Sequence, residues 1–319
     1  MSNSIDRRSF IKRMAGAGAL IATAQLPSFA SDKPEIFSER GRFERLSMSY
    51  ATVEIGLERP FSLLHISDSH LTDAYDTEGE QQIKEREKRT RTFGGRQEEA
   101  LRDALAWAKE HVEYVLHTGD IIDWQSEANF ALLKKYFGEG FLGNIGNHEY
   151  KDLTRNYKED EAYKDPTRKL LQKHFPGDIL FASQVLHGVN FITLDDVYGT
   201  VTAKQVKQFK KEVKKGLPIV LCMHVPFFTD KIYRENNRFW HTREPMTSSA
   251  IPEYKGDCLA QKTDPVTSDF IAYLKEEPLL KCILSGHLHI TTEDQFSPTC
   301  REYVTGAGFL FTGREVLFV

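Results

Sequence analysis

The sequence predicts a layered α/β domain, and three observations predict it. Short apolar runs of strand length alternate with segments of helical period; the runs end in polar, turn-forming residues; and no internal repeat or long polar linker divides the 319 residues. In chain order, residues 61–66 and 112–116 are short apolar runs suited to buried strands. Between them, residues 96–111 carry Ala100, Leu101, Ala104, Leu105 and Ala108 on one helix face. Residues 127–137 and 203–215 read as further helices and 268–275 as a shorter one, while 217–223 and 279–284 supply two more buried strands. Residues 302–319 alternate strand-like residues with Gly306, Gly308 and Gly313, a pattern that predicts hairpins. Two segments read as insertions, the charged stretch 71–95 and the loop-rich 227–266.

Composition places the chain among ordinary globular proteins, with 40% apolar and 28% charged residues. The first thirty residues read as a targeting segment: a basic part with Arg7, Arg8, Lys12 and Arg13, a weakly apolar stretch, then Ser28, Phe29 and Ala30 around a cleavage point. Arg7-Arg8-Ser9-Phe10-Ile11-Lys12 resembles the twin-arginine export signal. The expectation is a bacterial protein exported to the periplasm or cell envelope, with residues 31–319 forming one domain. No stable membrane span is expected after removal of a segment so short and glycine-rich. Its removal takes away four cations and Asp6, moving the formal net charge from −4 to −7. An acidic domain is a poor general binder of nucleic acid. Cys222 and Cys282 lie in apolar runs and read as buried thiols; Cys258 and Cys300 lie in polar stretches, where export would permit a disulfide.

The residues that end the apolar runs carry the chemistry. Asp68-Ser69-His70 follows the first, Gly119-Asp120 the second, and Gly146-Asn147-His148-Glu149 comes shortly after. His224 ends the next run and Gly286-His287-Leu288-His289 the last. Each motif sits past the carboxyl end of its strand, where open α/β sheets place ligands. A lone Asp-x-His, Gly-Asp or strand-end His is an ordinary structural feature. Five such clusters, rich in Asp and His and free of Cys, are a different matter, because converged carboxylates and imidazoles cost stability without a cation.

In their order, these motifs resemble those of the calcineurin-like metallophosphoesterases, over roughly residues 60–310. The resemblance implies a four-layer α/β/β/α sandwich of two mixed sheets flanked by helices. It makes Asp68, His70, Asp120 and His289 ligands of one metal, with Asp120 bridging to a second held by Asn147, His224 and His287. His148 becomes the histidine that faces the substrate phosphate without binding metal. Glu149 is expected to support the site by accepting a hydrogen bond from an imidazole. The implied reaction is hydrolysis of a small phosphomonoester or phosphodiester, in which two divalent ions about 3.5 to 4 Å apart activate a bridging hydroxide. Oxygen and imidazole ligands without thiolate suit Mn, Fe, Zn or Co.

Within the family, Asp123 stands where purple acid phosphatases have a metal-binding Tyr, and the chain has no room for the C-terminal domain of exported 5′-nucleotidases. Asp68-Ser69-His70-Leu71 is most similar to the cyclic-nucleotide-phosphodiesterase-like branch. Selectivity is expected from residues 227–266 as a cap after His224, with Tyr233, Phe239 or Trp240 stacking on the organic group and Arg238 meeting phosphate. An inactive scaffold on this fold would have lost ligands or His148, and all are present. A nuclease on this fold is kept open by the basic run 84–91, which otherwise reads as a solvated face.

Overall fold

The computed structural model describes residues 43–138, 140–156, 160–241 and 264–319. The export signal read in residues 1–30, Cys258, and residues 242–263 of the segment read as a cap lie outside them. The described residues form two sheets. The first has the order β1 (Ser47–Val53), β11 (Thr312–Phe318), β2 (Phe61–Ile66), β3 (Tyr114–Thr118), β4 (Leu142–Asn144). The second runs β5 (Phe181–Leu186), β6 (Val189–Leu194), β7 (Ile219–Cys222), β8 (Leu280–Ser285), β10 (Cys300–Val304), β9 (Thr292–Ser297). Both are mixed: β2, β3 and β4 run parallel beside antiparallel β11, and β6, β7, β8 and β10 run parallel between antiparallel β5 and β9.

The sheets face each other across Leu63, Leu116, Phe191, Val220, Cys222, Cys282, Leu284 and Val316, all fully buried. Strands buried on both faces explain why β2 and β6 read as continuous apolar runs. Helices α1 (Glu80–Phe93), α2 (Gln97–His111), α3 (Glu127–Tyr136) and α4 (Glu161–Leu171) precede the strands of the second sheet in the chain. Leu101, Leu105 and Leu133 of α2 and α3 pack with Leu64 and Ile66 of β2. On the other outer face, Phe209 of α5 (Ala203–Val213) and Phe270 and Leu274 of α7 (Pro265–Glu276) cover Ile192, Leu221 and Ile283. Helix α6 (Asp230–Trp240) follows β7. This is the four-layer α/β/β/α sandwich with two mixed sheets.

Several expectations need correction. Residues 302–319 do not fold into hairpins. Strand β10 pairs with β8 and β9, whereas β11 crosses to the other sheet between β1 and β2. Val316 and Phe318 are fully buried in the core between the sheets, a burial that a solvent-facing hairpin would waste. The charged stretch 71–95 contains helix α1, and 227–266 contains α6 and the start of α7. Cys300 is a free, fully buried thiol at the start of β10. No helix among the described residues is long and apolar enough to cross a membrane.

Candidate metal centre

Every metal-type motif leaves its strand within a few residues of the carboxyl end: Asp68 after β2, Asp120 after β3, Asn147 after β4, His224 after β7, His287 after β8. Backbone pairing continues past β2 and β3, from Asp68 N to Gly119 O (3.0 Å) and from His70 N to Asp120 O (2.9 Å), so the two loops are aligned to each other. Asp68, His70, Asp120, His287 and His289 all adopt left-handed φ values between 44° and 68°. Each such non-glycine residue costs on the order of 1–3 kcal/mol, a strain typical of functional sites. Glycines permit the close approach. A Cβ on Gly146 would stand 2.2 Å from Asp120 Oδ1, and one on Gly286 would stand 2.7 Å from Asp68 Oδ2.

The predicted ligands converge. His70 Nε2 lies 3.2 Å from His289 Nε2, 3.7 Å from Asp120 Oδ2 and 3.9 Å from Asp68 Oδ1, and His289 Nε2 is 3.2 Å from Asp68 Oδ1. Beyond Asp120, His224 Nε2 lies 3.3 Å from its Oδ2, 3.2 Å from Asn147 Oδ1 and 3.2 Å from His287 Nδ1. The tautomers are fixed from behind. His70 Nδ1 meets Asp123 Oδ1 at 2.9 Å and His224 Nδ1 meets the Thr118 carbonyl at 2.7 Å, which turns both Nε2 lone pairs into the site. Asp68 Oδ1 is buried and, despite the approach of His289 Nε2, makes no hydrogen bond. Such an orphaned acceptor costs stability unless a cation meets it. Donors approach within 4.8 Å in three groups, Asp68/His70/His289, Asp120/His224/His287 and His70/Asp123/His148. The donor set therefore fits two divalent ions on either side of Asp120.

Around this centre sits a supporting shell, part of which sequence reasoning missed. Asp123 is fully buried and receives His70 Nδ1, His148 Nδ1 (2.7 Å) and Nη2 of Arg89 (2.7 Å), with Arg89 Nε on its second oxygen. Against desolvation, His148 and Arg89 hold the Asp123 carboxyl well below its ordinary range. Arg89 belongs to the basic run on α1, in which three other cations pair with nearby acids: Lys84 with Glu80, Arg86 with Asp76, Lys88 with Glu85. One cation of a run that reads as a solvated face thus reaches the site. Phe93, one turn on, stacks on the His70 ring at 4.5 Å. Asp196, also missed, accepts the His224 N–H (2.9 Å) and the Val225 N–H; burial raises its carboxyl to about 7.

Glu149 supports the site, but by a different bond from the one expected. Its carboxylate accepts the backbone N–H groups of Asp120 (3.0 Å), Ile122 (2.9 Å) and Gly146 (2.6 Å), with no imidazole partner among these bonds, so it ties two ligand loops together. Glu149→Gln would turn an amide donor toward N–H groups that need acceptors. We expect a loss of about 2–3 kcal/mol in urea denaturation, the cost of stranding buried donors; an unchanged midpoint would contradict this role.

Of the four expected substrate residues, Phe239 and Trp240 lie together, whereas Tyr233 packs on another neighbour and Arg238 is turned away. Trp240 and Phe239 lie at the end of α6, with the Trp240 ring 5.7 Å from that of His289. Tyr233 packs on Phe228 at 5.7 Å. Arg238 is exposed and stands two residues from Trp240, about 200° around the helix, so it points away from the indole.

Comparison with known proteins adds the family. The sequence profile of the calcineurin-like phosphoesterases matches residues 61–291. No curated protein matches the chain. Among solved structures, a dimetal phosphatase from Danio rerio is 16% identical, with a TM-score of 0.45 over 78% of this chain and 88% of that one. A 5′-nucleotidase from Candida albicans is 12% identical, with a TM-score of 0.37, and this chain spans 45% of its length.

Proposed function

The chain belongs to the calcineurin-like phosphoesterase family and is a metal-dependent phosphoric ester hydrolase; from that premise we propose that it hydrolyses a small phosphomonoester or phosphodiester with two divalent ions. Asp68, His70, Asp120 and His289 would hold one ion, and Asp120, Asn147, His224 and His287 the other. When bound, the pair supplies Lewis acidity, activating water and neutralising charge on the phosphoryl oxygens. The observation that carries this reading is the placement of Asp120 Oδ2 between two imidazoles, 3.7 Å from His70 Nε2 and 3.3 Å from His224 Nε2.

The protein's own part is positioning and proton work. Asp120 Oδ1 accepts the His148 N–H at 2.9 Å, which places the His148 ring beside the centre. His148 Nδ1 is held by the side chain and carbonyl of Asp123, leaving Nε2 for the substrate. Against desolvation, the charges of Asp120 and Asp123 raise the ring to about 9, so it carries a proton at neutral pH. With ions held at the centre, the charge of Asp120 would be shared with them, and Asp123, bonded to Nδ1, is the carboxylate that would keep the ring charged. A protonated His148 then donates to the leaving oxygen. The cyclic-nucleotide-phosphodiesterase-like branch and periplasmic export by the twin-arginine route belong to this proposal as well, supported by Asp68-Ser69-His70-Leu71 and by Arg7-Arg8. The test is a panel of phosphomonoesters, linear and cyclic diesters and nucleotides with Mn-loaded protein. Turnover of at least one class that stops on chelation supports the proposal, and inertness toward all of them would overturn it.

A further inference from the structure

We propose that the Trp240 indole is a stacking shelf for a planar aromatic group on the substrate, so that the enzyme selects phosphate esters bearing aryl or heteroaromatic groups. This rests on the phosphoesterase reading and names its substrate class. Ile232, Asn236 and Trp240 recur every four residues along one face of α6. Ile232 and Asn236 are fully buried, Ile232 against Leu288, Ile290 and Val304. Trp240 continues this stripe beyond the core and overhangs the loop that carries His287 and His289.

The indole is fixed there. Its Nε1–H donates to the Leu288 carbonyl at 2.9 Å, tying the ring to the ligand loop itself. Trp240 stands on one side of His289; the Phe309 ring, 5.3 Å from the same imidazole, forms another wall. Despite that anchoring, Trp240 is 42% exposed, with Phe239 set edge-on at 5.1 Å and 51% exposed. The other tryptophans, Trp107 and Trp124, are buried. A large ring held rigidly, half in water, beside a metal-type histidine loses little entropy when another ring stacks on it. Position decides the occupant: a group seated on this shelf is attached to whatever reaches His289, which is the substrate ester.

Two measurements test the shelf. The chain has three tryptophans, and the exposed one dominates quenching by an added aromatic. Phenylpropyl phosphonate, which cannot be hydrolysed, should quench and bind roughly 3- to 10-fold more tightly than cyclohexylpropyl phosphonate, the range of an aromatic pair. Phenylethyl and cyclohexylethyl phosphates, with their methyl diesters, have matched alcohols as leaving groups. Their kcat/KM ratio should favour phenyl by a similar factor, fall toward one in Trp240→Leu, and recover in Trp240→Phe. Equal binding of the two phosphonates, or an unchanged ratio in Trp240→Leu, would overturn the shelf and leave the exposed face to a protein or membrane partner. If no ester of any kind is turned over, the enzymatic reading fails, while the phosphonate binding ratio still decides the shelf.

Discussion

Asp120→Asn is expected to lose bound metal and turnover together. The carboxylate is fully buried between two imidazole pairs, and against desolvation the charges of His224 and His148 keep it well below its ordinary range. Asparagine preserves the shape but removes the charge and replaces one oxygen with an N–H donor that repels cations. The backbone contact from His148 N to Oδ1 can survive in the amide, so the fold should hold. The expected loss in kcat/KM is at least about 10²- to 10³-fold, the scale for removing one preorganised charge-stabilising group. Plasma mass spectrometry on gel-filtered protein, beside initial rates, reads both quantities; full metal content with full activity would remove Asp120 from the bridging role.

His148→Asn separates proton work from metal work. Because Nδ1 is engaged by Asp123, the ring presents Nε2 and its proton, and asparagine cannot supply an equivalent acid. General acid catalysis contributes typically about 10²- to 10⁴-fold, but only where the leaving group needs a proton. An alkyl ester should therefore lose activity across that range, while a nitrophenyl ester, whose leaving phenolate is stable, should lose much less. Bound metal should hold. Equal losses on the two esters would assign His148 to electrostatic stabilisation instead, and loss of metal would make it a ligand in the His70/Asp123/His148 group.

The sequence carried the centre of the site better than its surroundings, for a physical reason. Strands β2, β3, β7 and β8 are apolar and end in polar turns, so their ends, and with them Asp68, Asp120, His224 and His287, are marked locally. Strand β4 is three residues long, and β5 alternates buried and exposed positions in a pattern too short to separate from loop. The crossing of β11 to the other sheet is a long-range choice. Its partner β2 lies some 250 residues away in the chain, and the intervening glycines read equally well as hairpin turns. The same distance problem hid Arg89 and Phe93. Both sit in a run of charges on α1, and only the packing of that helix against the loops after β2 and β3 turns one arginine onto Asp123 and one phenylalanine onto His70. In the sequence Asp123 stands out as a departure from a tyrosine ligand, but its service to two histidines at once depends on the loops after β2, β3 and β4 meeting.

Seven residues from five loops are proposed to hold two ions across one carboxylate. Crystals grown with Mn²⁺ and measured for anomalous scattering test this arrangement most directly. Two peaks sharing Asp120 are expected, one coordinated by Asp68, His70 and His289 and the other by Asn147, His224 and His287. A single peak, or one held by His70, Asp123 and His148, would contradict it.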